Sequence, residues 1–128
     1  MIYIDSSVAL AHLLAEPRSP PATLWKELLV SSRLLEYEIW NRINVFGQRA
    51  AIGDNAQSLL DRTDLYEMNR LVLERALAPW PTPVRTLDAL HIATLEYLRR
   101  GGEAIELATY DCRMIATARA LGIPIATL

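Results

Sequence analysis

One lysine, one cysteine and one phenylalanine occur in 128 residues. Each scarcity excludes something. The lone cysteine, Cys112, has no partner for an internal disulfide, which fits a reducing compartment. The lone lysine lies in the polar stretch Trp25-Lys26-Glu27. That setting does not suit a Schiff-base lysine or the lysine of a phosphate loop. Two histidines, His12 and His91, without a cysteine pair are too few for a typical zinc site. No apolar run approaches the ~20 residues of a membrane-spanning helix. The opening Met1-Ile2-Tyr3-Ile4-Asp5 has no basic start, so no secretory signal is expected. A cytoplasmic location without membrane contact follows as the expectation. Repeats, low-complexity segments and linkers are absent.

What is present is an ordinary core-forming composition. Hydrophobic residues make up 52% of the chain. A chain of this length forms one domain, here residues 1–128, and hides roughly two-thirds of its unfolded surface. The formal charge of -2 names no partner by itself. Its basic side consists of twelve arginines beside Lys26. Arginine suits bidentate phosphate contacts, although most of the twelve need be no more than surface charge.

Apolar runs alternate with helical patterns. Met1–Ile4 reads as a short buried strand ending at Asp5, and Ser6 as the N-cap of a helix to Ala15. Pro20-Pro21 opens a second helix over Ala22–Leu28, and Leu29–Ser32 is a short strand. Leu34–Gly47 is a strong amphipathic helix with Leu35, Ile39, Ile43 and Phe46 on one face. Asp54–Arg62 and Met68–Ala78 are further helices, and Pro79, Pro81 and Pro83 span to the next, over Arg85–Leu98. Ile105–Tyr110 is a strand, Cys112–Leu121 a helix and Ile123–Leu128 a last strand. This order predicts an α/β fold with a mostly parallel sheet of four to five short strands and helices on both faces. Ligands of such sheets bind beyond the carboxyl ends of the strands, where Asp5 and Asp111 both fall.

Four of the fifteen acids stand out from their surroundings. Asp5 and Asp111 end core strands, where either alone would pass as a turn or cap acid. Asp88 lies on the apolar side of its helix, one turn before Ile92. An acid in a first turn suits the helix dipole, but the dipole does not explain that side. Glu38 follows Leu34 and Leu35 by one turn, and both a surface pair with Arg42 and competition from Glu36 stand as alternatives. Converging carboxylates repel, each pair at about 4 Å by roughly 4 kcal/mol at an effective dielectric near 20. A cluster therefore needs a cation, and an all-oxygen site favours Mg²⁺ or Mn²⁺. Such ions suit phosphodiester hydrolysis. Setting the four acids aside turns the formal charge from -2 to +2, compatible with a polyanionic substrate.

The motifs add up to a resemblance over essentially the whole chain. Met-Ile-Tyr-Ile-Asp-Ser-Ser at the start, Ser32-Arg33-Leu34-Leu35-Glu36-Tyr37-Glu38, Leu87-Asp88-Ala89-Leu90-His91-Ile92-Ala93-Thr94 and Ala108-Thr109-Tyr110-Asp111 occur in that order. The chain resembles the PIN domain and, within it, the VapC toxins of bacterial VapBC toxin–antitoxin pairs. The resemblance implies a PIN-like fold and a metal-dependent endoribonuclease that arrests translation and growth. It selects Glu38 over Glu36. It makes Asp5 and Asp88 the main ligands of Mg²⁺ or Mn²⁺, with Glu38 and Asp111 completing the catalytic set directly or through water. Ser6 and Thr109 would supply hydroxyls that orient acids or water, although an N-cap and an ordinary strand threonine remain open for them. His91 reads as packed or supporting rather than ligating, and Cys112 as a small packed residue. Trp25, Trp40 and Trp80 read as core or interface packing. A homodimer, a VapB-type antitoxin whose C-terminal segment fills the active-site groove, and a structured RNA substrate (tRNA or rRNA) are implied with it.

Two metal-using α/β rivals fail on residues. A receiver-type phosphotransfer domain needs an acidic pair at the first strand and a late lysine. A haloacid-dehalogenase-like phosphatase needs Asp-x-Asp there. Asp5-Ser6-Ser7 supplies neither, and no lysine follows Lys26. A PIN-fold RNA- or protein-binding module without significant catalysis stands as the alternative.

Overall fold

Three residues of continuous apolar sequence, Ile2–Ile4, form β1 at the centre of the molecule. A computed structural model describes all 128 residues. Leu29–Ser32 (β2) and Glu106–Ala108 (β4) flank β1, and Thr63–Tyr66 (β3) lies outside β2, giving the order β3-β2-β1-β4. Every pairing is parallel. Strands covered on both faces read as unbroken apolar runs, and β1 is buried throughout.

The register sorts side chains by face. Tyr3 lies opposite Val30 and Leu107, and Ile2 opposite Leu29. On one face Ile2, Ile4 and Leu29 pack against helices α1 (Ser6–Leu13), α2 (Leu34–Val45) and α3 (Arg49–Asp61). On the other, Tyr3, Val30 and Leu107 pack against α5 (Thr86–Arg99) and α6 (Cys112–Ala120). Helix α4 (Arg70–Leu77) lies against α5. Leu35, Ile39 and Ile43, all fully buried, anchor α2 to its core. Each such side chain contributes roughly 1.5–3 kcal/mol by burial.

The expected α/β class, with a parallel sheet and helices on both faces, is what forms. Four strands form, within the four to five expected, but the expected last strand is not among them. Ile123–Leu128 joins the sheet only through a bridge between Ile125 and Leu107. Pro124 has no N–H to extend a ladder, although its carbonyl accepts from Leu107 N. Residues 63–66, unassigned from the sequence, make the edge strand β3. That strand is half exposed and polar, so it lacks the apolar signature of the central strands. Helix α3 starts at Arg49, earlier than Asp54, and the Pro20-Pro21 helix is a short 3-10 segment, Ala22–Lys26.

Two packing expectations change. Phe46 is 57% exposed, because α2 ends at Val45 and Gly47, at φ +62, turns the chain away. Cys112 is exposed at the first position of α6 rather than packed. Trp25, Trp40 and Trp80 are partly buried against the two cores, as expected of packing residues.

Candidate active site

Parallel pairing of β1 with β4 brings both strand ends to one edge of the sheet. Asp5 follows β1, and Thr109 to Asp111 follow β4. Asp5, not Ser6, is the N-cap of α1. Its Oδ1 accepts from Val8 N at 3.3 Å and from the Ser7 hydroxyl at 2.7 Å. Its Oδ2 accepts from the Thr109 hydroxyl at 2.7 Å. The carboxyl is almost wholly buried. Burial pushes its pKa up, against the lowering effect of the Ser7 and Thr109 hydrogen bonds. A buried acid with donors but no adjacent cation is the result.

Glu38 comes from α2. The helical turn that buries Leu35 and Ile39 turns Glu38 inward and leaves Glu36 to pair with Arg33 at the surface, at 3.4 Å. The surface pair between Glu38 and Arg42 does not form. Instead Glu38 Oε2 accepts from the Ser6 hydroxyl at 3.1 Å, and Oε1 lies 2.5 Å from His91 Nε2. His91 is 1% exposed and also meets the Tyr3 hydroxyl.

Asp88 stands in the first turn of α5, with its side chain 16% exposed. Burial raises its pKa, and repulsion from Asp111 raises it further. Asp111 is the N-cap of α6, accepting from Arg113 N at 2.8 Å and Met114 N at 3.2 Å. Burial would raise its pKa too, but the Met114 N–H, the Arg85 guanidinium and the Arg113 N–H together hold it below the usual carboxylate range. Arg85 reaches both acids, at 2.6 Å from Asp111 and 3.4 Å from Asp88.

These groups line one open cleft of about 800 Å³. Asp5, Glu38, Asp88 and Asp111 all contribute to its wall, with Ser6, Ser7 and three arginines, Arg18, Arg42 and Arg85. Arg18 stacks over Tyr110 at 4.1 Å and Arg42 over Phe46 at 5.1 Å, so both guanidinium groups rest on aromatic faces. The donors are carboxylate and hydroxyl oxygens, which is the chemistry of Mg²⁺ and Mn²⁺ sites. As the side chains lie, no three acids or histidines converge closely enough to hold one ion. The guanidinium of Arg85 provides the positive charge between Asp88 and Asp111. The donor set therefore fits a divalent cation, and closing on one requires side chains to turn.

No protein-family model matches the chain. Ribonuclease VapC46 of Mycobacterium tuberculosis is 32% identical over 127 residues, covering 97% of this chain and 95% of the relative. The chain belongs to the VapC ribonuclease family. Two further VapC relatives from the same organism agree: Ribonuclease VapC47 is 29% identical over 95% of this chain and 93% of its own. Ribonuclease VapC35 is 28% identical over 98% and 95% respectively. A chain solved in a toxin–antitoxin complex from Klebsiella pneumoniae superposes with a TM-score of 0.70 at 18% identity, covering 99% of this chain and 97% of that one. That likeness carries the fold, and the PIN-like α/β architecture expected of a VapC chain is the one described above.

In this VapC chain the four acids share one cleft although they come from four separate segments. Sequence reasoning missed Ser7, which holds Asp5, and Arg85, which bridges two acids. Arg85 is the N-cap of α5, three residues before Asp88, a spacing that signals an ion pair. Nothing local signals the Arg85 contact to Asp111, since that acid is 26 residues away.

Proposed function

We propose that this chain is a divalent-metal-dependent endoribonuclease, the toxin of a toxin–antitoxin pair, acting in the cytoplasm on structured RNA such as tRNA or rRNA. The observation that carries the reading is the cleft itself: four carboxylates from four segments beside three arginines. Asp5 and Asp88 would hold Mg²⁺ or Mn²⁺. When bound, the ion supplies Lewis-acid stabilisation of charge on the phosphate and makes water a better nucleophile. Glu38 and Asp111 complete the acid set and orient water. Ser6 fixes Glu38, and Thr109 fixes Asp5. Arg18 and Arg42, propped on aromatic rings, offer guanidinium groups to the RNA backbone. The reaction adds water across one phosphorus–oxygen bond, leaving a phosphate on one new end and a hydroxyl on the other.

Two protein partners belong to the proposal. A VapB-type antitoxin would place its C-terminal segment in the cleft and block substrate. A second copy of the chain would cover the apolar groove between α4 and α5. Leu73, Leu77, Trp80 and Leu90 line that groove, and Leu77 is 88% exposed.

One observation favours the alternative of a binding module without significant catalysis: Arg85 already spans Asp88 and Asp111. Incubation of purified protein with total cellular RNA in Mn²⁺, Mg²⁺ or EDTA, beside Asp5→Asn and Asp88→Asn, separates the readings. Discrete metal-dependent 5′ ends that vanish in both variants are expected. Ends that persist in both variants, or a folded, antitoxin-free protein that yields none, overturn the nuclease reading.

A further inference from the structure

A buried chain of hydrogen bonds runs from the sheet to Glu38. Tyr3, fully buried in β1, accepts the backbone N–H of Ser32 on its hydroxyl oxygen at 3.1 Å. The same hydroxyl lies 2.8 Å from His91 Nδ1. At the other end of the ring, Nε2 lies 2.5 Å from Glu38 Oε1. The Ser6 hydroxyl holds Oε2. The direction of the chain follows from its last acceptor. A carboxylate can only accept, so the hydrogen between His91 and Glu38 Oε1 lies on Nε2, and His91 donates to Glu38. A ring with its one hydrogen on Nε2 accepts at Nδ1, so the Tyr3 hydroxyl donates there while its oxygen takes the Ser32 N–H. The ring cannot trade these partners for water, because it is 1% exposed.

We propose that His91, aimed by Tyr3, is a positioning residue that holds Glu38 in one orientation for the hydrolysis proposed above. The inference rests on that reading for its purpose and on the hydrogen bonds for its substance. Glutamate has three side-chain torsions, and one at a cleft wall is free to use them. Donors on both oxygens remove that freedom before any substrate arrives. Preorganisation of this kind matters because small displacements of a reacting group carry large penalties in rate. The contact also ties β1, α2 and α5 together, and these are the elements that deliver Asp5, Glu38 and Asp88. His91 follows Asp88 by one turn of α5, so a single helix supplies one acid to the cleft and grips another.

The test compares wild type, His91→Gln, His91→Leu and Tyr3→Phe on the RNA fragment that wild type cuts, with thermal melts as the folding control. His91→Leu is expected to lower kcat by about tenfold or more with KM nearly unchanged. His91→Gln, whose amide N–H can reach the same carboxylate, recovers most of that loss, and Tyr3→Phe falls between. Nitrogen-15 NMR of the imidazole in metal-free protein is expected to find Nε2 protonated and Nδ1 bare, with the Nε2 proton signal moving in Glu38→Ala. A folded His91→Leu at full activity overturns the proposal, as does a His91→Gln as impaired as His91→Leu. A bare Nε2, or a protonated Nδ1, overturns the direction of the chain. Should His91→Leu fail to fold, the comparison of His91→Gln with Tyr3→Phe decides. Should wild type cut no RNA, the nuclease reading fails by itself, and the NMR response to Glu38→Ala alone decides the contact.

Discussion

Arg85 donates to Asp111 at 2.6 Å while its Nε stays within 3.4 Å of Asp88, so one guanidinium serves two acids across the cleft. The positive charge that the acids need is already supplied by the chain. A divalent ion entering between them competes with it. Arg85→Ala is therefore expected to tighten Mn²⁺ binding by about two- to fivefold, the scale of an exposed ion pair, in a calorimetric titration. Weaker binding in the variant would mean that Arg85 helps to assemble the site.

Metal should stabilise the fold through linkage. At a concentration 100 times its Kd an ion binding only the folded state adds about 2.7 kcal/mol, read as a rise in Tm over the EDTA sample. Asp88→Asn should blunt that rise. It should also raise the Tm of the metal-free protein, because burial and Asp111 both disfavour the charged Asp88 in the fold. Equal melting with and without millimolar Mn²⁺ would count against a clustered site.

His12, which does not line the cleft, predicts a pH response. Burial, and the nearby Arg62 charge, push its pKa below 6.5. Its ring lies 4.4 Å from Trp25. The unfolded chain therefore binds this proton more readily than the folded one. The corresponding stability is present above the unfolded value and is lost as pH falls from about 6.5 through the folded value. His12→Gln should flatten the loss of urea midpoint between about pH 7.5 and pH 5. An unchanged slope would sink the assignment.

Helix α2 and its C-cap offer a contrast. Ile39 is fully buried beside Glu38, whereas Phe46 is 57% exposed. Ile39→Ala is expected to cost about 2–5 kcal/mol in urea unfolding. Phe46→Ala should stay within roughly 0.5 kcal/mol. A large loss at Phe46 would place it in a core after all.

The legible part of the structure was local. Short apolar runs marked β1 and β2 because central parallel strands are covered on both faces. Helical periodicity marked α2 and α5, and strand ends pointed to one edge for Asp5 and Asp111. The polar edge strand β3 left no such mark. The start of α3 was also blurred, since residues 49–53 carry little apolar periodicity.

The sequence by itself determined the fold class and the four acids, in an order that makes sense only if their segments meet. Tertiary structure decided what each acid touches. Thr109 reaches Asp5 across 104 residues, and Tyr3 reaches His91 across 88. Ser7 rather than Ser6 serves Asp5, because the first turn of α1 points the Ser7 hydroxyl back at the cap and the Ser6 hydroxyl toward Glu38. Hydrogen bonds form between groups that packing brings within about 3 Å. Periodicity along the chain reports which face a residue occupies, and only the folded sheet and helices report what stands opposite it.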